Sequence, residues 1–288
     1  MFTSILLEAF PFILLGVVLS SIIHVFVSEN FFKRIIPKNI FFGTTVGATM
    51  GFFFPVCDCG VIPVARRLMK KGVPLHTSIA FMLAAPIINP VVLFATYYAF
   101  KTIIPEMIVL RSLLGLLIAI TVGILFGLFV KKENFLLEQS SHSHPHDCSC
   151  HHHHGNKMKD IIQHARGEFF DIGKFLVIGA AIAAAVQTFL PREIIHSIGQ
   201  NTILAILAML LFAYLLSLCS TADSFIAKTF IGQFTNSSIL AFLLIGPMID
   251  IKNTLVMAGN FRLKYVMNLI GLLFLLSFIA ALMAHFIS

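Results

Sequence analysis

Hydrophobic residues fall into eight long runs along this chain, at roughly 8–28, 40–56, 74–100, 104–130, 168–190, 202–220, 236–258 and 264–287. The runs do not alternate apolar with polar positions as barrel strands do, so they read as helices. About 20 helical residues cross a hydrocarbon slab about 30 Å thick, and most of the runs reach that length. The pattern predicts an all-α integral membrane protein. One long polar stretch interrupts it, giving a first transmembrane repeat at 1–130, a loop at 131–166 and a second repeat at 167–288.

The two halves match. Residues 78–89 align with 239–250, setting Phe81 against Phe242, Pro86 against Pro247 and Asn89 against Asp250. Cys57 then falls opposite Cys219 within one or two residues, and Leu15-Gly16 falls opposite Ile178-Gly179. Two homologous repeats of about four hydrophobic segments each are a common basis of transporter folds, and matched helix breaks mark where such folds bind cargo.

Composition agrees with the pattern. Of 288 residues, 58% are hydrophobic and 11% charged, with a mean hydropathy of +0.94; a soluble domain carries roughly 25% charged residues. The net charge of +7 gives no support to nucleic-acid binding, because what matters in a membrane chain is where the basic residues lie. Glu8, Pro11 and Gly16 inside the first run, with no basic n-region before it, make that run a retained helix and not a removed signal peptide.

Two topologies remain open. If all eight runs cross, with the N-terminus and central loop inside, eleven flanking basic residues lie in the cytoplasm and seven outside. If runs two and six enter, turn at their cysteines and return, fifteen lie inside and only Lys101, Arg192 and Lys228 outside. The positive-inside rule favours the second arrangement: three spans and a re-entrant hairpin per half, the halves inverted. Pro55, Gly60 and Pro63 around Cys57 also read as breaks, which irregular backbone at membrane depth requires. Against it stands run six, which is long enough to cross.

Chemistry concentrates at these breaks. Cys57 and Cys59 flank Asp58; Cys-x-Cys is too tight for a comfortable disulfide and suits thiol ligation of a soft ion. The second half supplies Cys219 and Asp223, and three thiols near the pseudo-symmetry centre suit trivalent arsenic or a thiolate-bound metal. An acid at depth such as Asp223 points to coupling-ion or proton binding. Asn89 follows Pro86 and precedes Pro90, and Asp250 follows Pro247, so each side chain joins freed carbonyls where a cation or polar cargo can be held. Only the second half carries an acid there, with Lys252 as its candidate ion-pair partner. Each candidate also has a packing reading, as a buried small thiol or a helix kink. His24 and Gln187, at equivalent places in the two halves, read as packing residues, and His285 as interfacial.

The central loop holds His142, His144, His146, Cys148, Cys150, His151, His152, His153 and His154 within thirteen residues. Imidazole and thiolate at that density bind Zn, Cu, Ni or Co. The spacing is not that of an ordered zinc finger.

Pro55-Val-Cys-Asp-Cys-Gly-Val-Ile-Pro63, Ala85-Pro-Ile-Ile-Asn-Pro90 and the echo from Cys219 to Asp250 carry a resemblance. The chain, nearly throughout its length outside the His/Cys loop, resembles the bacterial predicted-permease family that includes the ArsP-type organoarsenical efflux permeases. The resemblance implies a multi-pass permease of the bacterial inner membrane, with roughly eight helices and with trivalent arsenicals exported by some relatives. The loop lies outside that pattern and brings a metal cation or complex into consideration as cargo. The expectation is a secondary permease, an exporter of a thiophilic metal, metalloid or organoarsenical by alternating access. It requires no cofactor, sits among membrane lipids, and leaves room for a partner subunit or a homodimer. The rivals are a membrane thiol oxidoreductase and a metal-sensing subunit of a multicomponent permease.

Overall fold

Backbone polar groups in an apolar medium must be satisfied within the chain, and every regular element described here meets that demand as α-helix. The computed structural model describes residues 39–53, 58–102, 104–130, 135–136, 173, 177–178, 181–182, 185 and 202–287. Within them run α1 (Ile40–Phe53), α2 (Asp58–Lys70), α3 (Leu75–Ile88), α4 (Pro90–Phe100), α5 (Glu106–Phe129), α6 (Thr202–Leu216), α7 (Ser220–Thr229), α8 (Asn236–Met248), α9 (Ile251–Asn260) and α10 (Leu263–Ile287).

Among the described residues, four stretches are long and apolar enough to span a membrane: Leu75–Phe100, Glu106–Phe129, Asn236–Asn260 and Leu263–Phe286. The first and third are broken, into α3 with α4 and α8 with α9. Their most apolar windows are 67% and 83% buried, against 33% for α5 and α10. The broken helices therefore form the middle of the bundle, and the unbroken ones present a face to lipid. Lys101, at the end of α4, lies 4.7 Å over the Tyr98 ring, an aromatic and basic pairing suited to the membrane–water boundary.

Close backbone approaches give the helix directions. Gly47 and Gly51 of α1 lie against Thr77 and Ala85 of α3, so α1 and α3 run the same way. Gly115 of α5 meets Ile87, while Gly123 and Gly127 meet His76, so α5 runs back. Helix α2 packs on α3, and Asp58 at its start lies near Pro86 at the end of α3. In the second half, Asp223 of α7 lies against Gly246 near the end of α8, and Phe230 meets Phe234 edge to face before it, so α7 runs back along α8. The halves of the chain cross-pack: α2 lies on α9, and α7 on α4.

Two expectations are corrected. Run six does not continue as one helix to residue 220: α6 has 15 residues and stops at Leu216, because Ser217 takes a left-handed conformation (φ 51°) that a helix cannot contain. Gly60 and Pro63 are not breaks, since both lie inside α2. Pro63 forgoes only the bond its missing N–H would make to the carbonyl four residues earlier, and the helix carries on. Pro86 and Pro247 likewise sit inside the last turns of α3 and α8, and the breaks follow them.

The α1–α3 contact depends on glycine. A Cβ on Gly51 would lie 2.6 Å from the Ala85 Cα, whereas one on Gly271 of α10 meets nothing within 4 Å. Gly51→Val should lower unfolding stability in bicelles by roughly 1–3 kcal/mol, and Gly271→Ala should leave it unchanged or raise it. Thermal unfolding of the two variants checks this.

Candidate functional site

Four helices begin at the level of the breaks, and each start has a local cause. Pro90 bars Asn89 from helical geometry, so α3 ends there, and the Asn89 Oδ1 accepts from the Val91 N–H (3.0 Å) to cap α4. Asp250 is extended, and its Oδ1 accepts from the Asn253 N–H (2.6 Å) to cap α9. Helix α7 follows the strained Ser217 and has no side-chain cap of its own. Its cap comes from the other half. Asp58, the first residue of α2, accepts from the Ser220 N–H (3.3 Å) through Oδ2 and from the Ser220 hydroxyl (2.9 Å) through Oδ1.

A second polar layer lies beside this bond. Arg111 of α5 is fully buried, and its Nη1 donates to Thr96 Oγ1 of α4 (2.6 Å) and to Ser224 Oγ of α7 (2.7 Å). Its Nη2 donates to the Ser220 carbonyl (3.3 Å). Asp223 lies in the field of this guanidinium, with its Oδ2 against Gly246, where any Cβ would come within 2.6 Å. On the opposite side, Lys252 Nζ stands 3.6 Å from Asp250 Oδ2, and the Lys252 N–H donates to Ser217 Oγ (3.3 Å). Tyr214 and Thr254 share a hydroxyl–hydroxyl bond (3.1 Å) that ties α6 to α9.

Asp58, Asp223, Asp250, Arg111 and Lys252 are thus all buried around the breaks, three carboxylates against two cations. Charges so placed are costly unless paired, and single exposures at this depth are rare. The arrangement can hold a cation or a proton, and the halves can separate there only if the bonds of α7 to Asp58, Arg111 and Thr96 all loosen.

Of the residues expected from the sequence, Asp58, Asp223 and Asp250 come together here, with the anticipated pairing of Asp250 with Lys252. Asn89 sits at the matching break. Cys219 directly precedes Ser220, is half-buried, and lies 3.4 Å from the Thr221 hydroxyl. Cys59 is the second residue of α2. Pro55, Cys57, His24, Gln187 and every ligand of the central loop from His142 to His154 lie outside the described residues. Among the described residues no three His, Cys, Asp or Glu side chains group as a metal site.

Arg111, Thr96, Ser217, Ser220 and Ser224 were given no role by the sequence reading. One signal was present. Of the 20 basic residues, Arg111 is one that fits neither flank of a run, lying inside a 24-residue apolar helix.

Comparison with known proteins bears on this site. A family model described as a predicted permease, ArsP_1, matches residues 1–286. UPF0718 protein YcgR of Bacillus subtilis (strain 168) is 47% identical, over 93% of this chain and 90% of its own. A protein of Streptococcus mutans serotype c, named as a subunit of a two-component membrane permease complex, is 41% identical over 94% of this chain and 89% of its own. UPF0718 protein YraQ of Escherichia coli (strain K12) is 30% identical over 27% of this chain. No solved structure gives a significant match.

Removing one partner of a buried charge set leaves the other uncompensated. Arg111→Met should cost about 3–5 kcal/mol of unfolding free energy, and adding Asp223→Asn should recover part of that loss. Chemical unfolding of the single and double variants in bicelles measures the coupling; simple additivity would contradict the assignment.

Proposed function

We propose that this chain, which belongs to the predicted-permease family across residues 1–286, is a secondary permease exporting a thiophilic metal, metalloid or organoarsenical by alternating access between two inverted halves. The family is one of transporters, so the thiol oxidoreductase alternative is set aside. The observation that carries the reading is the bond from Asp58 to Ser220, which joins the start of α2 to the start of α7. Cys57 and Cys59 flank one partner in sequence and Cys219 precedes the other, so three thiol-bearing positions lie within two residues of that bond.

Helix α6 stops at the left-handed Ser217 and α7 runs back along α8, which supports a re-entrant hairpin there. With the central loop inside, α2 returns to the cytoplasm and α7 to the outside, so each closes one half of a path through the centre. Cargo reaching the centre from the cytoplasm meets the thiols and Asp58, and loading the Asp58 carboxylate releases Ser220, the first of the bonds, with those of Arg111 to α7, that must loosen for the halves to rock apart. A proton arriving from outside on Asp58 or Asp223 would reset the cycle. Asn89 and Asp250, both occupied in capping, fix the path on either side and sense cargo through the helices they start. The central loop collects Zn, Cu, Ni or Co at the cytoplasmic face.

The name of the Streptococcus mutans relative favours a second component, and we propose that this chain also works with a partner subunit in the bacterial cytoplasmic membrane.

Proteoliposomes offered arsenite, methylarsenite, zinc, copper(I), cobalt and sulfur oxyanions should transport at least one thiophilic species. Cys57→Ser and Asp223→Asn should each remove most of that flux; wild-type flux in both variants would refute the site. In a cysteine-free background, cysteines placed at Lys33 and Lys70 should both react with an impermeant thiol reagent from the cytoplasmic side. Reaction of only one would restore the eight-span arrangement.

A further inference from the structure

A small cavity lies beside the bond between Asp58 and Ser220, about 10 Å³ in volume, the room taken by one water molecule or one monatomic ion. Its wall includes Met82 from α3, Met248 from α8 and Met257 from α9, with Asp58 from α2 and Asn253 from α9. All three methionines are buried, at 3%, 4% and 1% exposure. The Asn253 Oδ1 is also buried and accepts no hydrogen bond.

Methionine in a core ordinarily fills irregular gaps, because its unbranched side chain can adapt. Here three such chains from three helices surround a gap without closing it, and an unpaired amide oxygen and a carboxylate stand in the same wall. A buried acceptor without a donor costs free energy that a bound cation would recover. Thioethers are soft ligands that favour Cu(I) over hard cations, which take oxygen shells instead.

We infer that this cavity is a binding site for a soft monovalent cation, Cu(I) or Ag(I), held by the thioethers of Met82, Met248 and Met257 with Asp58 and Asn253 as oxygen donors. The inference rests on reading the centre as the cargo path, and it narrows the cargo from thiophilic species in general to one ion class. The site is distinct in chemistry from the imidazole and thiolate donors of the central loop.

The test uses the full chain in nanodiscs with its methionine methyl groups labelled with carbon-13, titrated with Ag(I) as a redox-inert probe. Of the eleven methionines, the three in question are identified by single Met→Leu variants. Their methyl signals should shift together, saturating at one equivalent of Ag(I) beyond what the loop and the thiols of Cys57, Cys59 and Cys219 take up, while the other eight stay in place. Zn(II) at the same concentration should leave the three unmoved. Absence of a shift at full Ag(I) saturation, or equal shifts with Zn(II), would overturn the site. The triple Met→Leu variant preserves volume and should bind one Ag(I) fewer with an unchanged unfolding temperature; unchanged stoichiometry would also overturn it. The two readings fail separately. Methylarsenite export with unmoved methionine signals would keep the permease and remove the site, whereas Ag(I) binding here without transport of any cargo would keep the site and remove the permease.

Discussion

A carboxylate held in hydrocarbon is stable only where donors or opposite charges meet it, and the centre of this molecule is arranged around that constraint. Asp58 has no donor within its own half among the hydrogen bonds described; its partners are the N–H and hydroxyl of Ser220, across the molecule at the start of α7. Helix α7 in turn has no side-chain cap within its own half. The start of each helix therefore supplies what the other lacks. The cross-packing of α2 on α9 and α7 on α4 follows from this exchange, as does the burial of the broken helices between them.

The same constraint explains why the two sides of the centre differ. On the α4–α5–α7 side, Arg111 gathers Thr96, Ser224 and the Ser220 carbonyl. On the α6–α9 side, Lys252 and Asp250 pair, with Ser217 and Thr254 holding the backbone around them. Matched helices thus carry unmatched charges.

Much of this was legible in the chain. The runs at 40–56, 74–100, 104–130, 202–220, 236–258 and 264–287 located the described helices, those at 8–28 and most of 168–190 lying outside the described residues. The alignment of Pro86-x-x-Asn89 with Pro247-x-x-Asp250 located both central breaks, because a proline and a capping residue at fixed spacing have a local cause. What was not legible depends on distant partners. Arg111 lies 15 residues from Thr96 and 113 from Ser224, and nothing near it in sequence shows that hydroxyls await it. Ser217 stops α6 by a backbone conformation that its residue type does not announce. Pro63 looked like a breaker and is not one, since a helix can lose one bond near its start and still be held by its neighbours. The methionines of the cavity come from three separate helices, and only their assembly distinguishes them from ordinary core.

The central claim is that the start of α2 and the start of α7 touch through Asp58 and Ser220. With Cys57, Cys59, Cys148, Cys150 and Cys219 replaced by serine, Asp58→Cys together with Ser220→Cys should form an intramolecular cross-link on mild oxidation in native membranes, seen as a mobility change that a reductant reverses. Cross-links only between chains, or none under conditions where both cysteines react with a small maleimide, would contradict it.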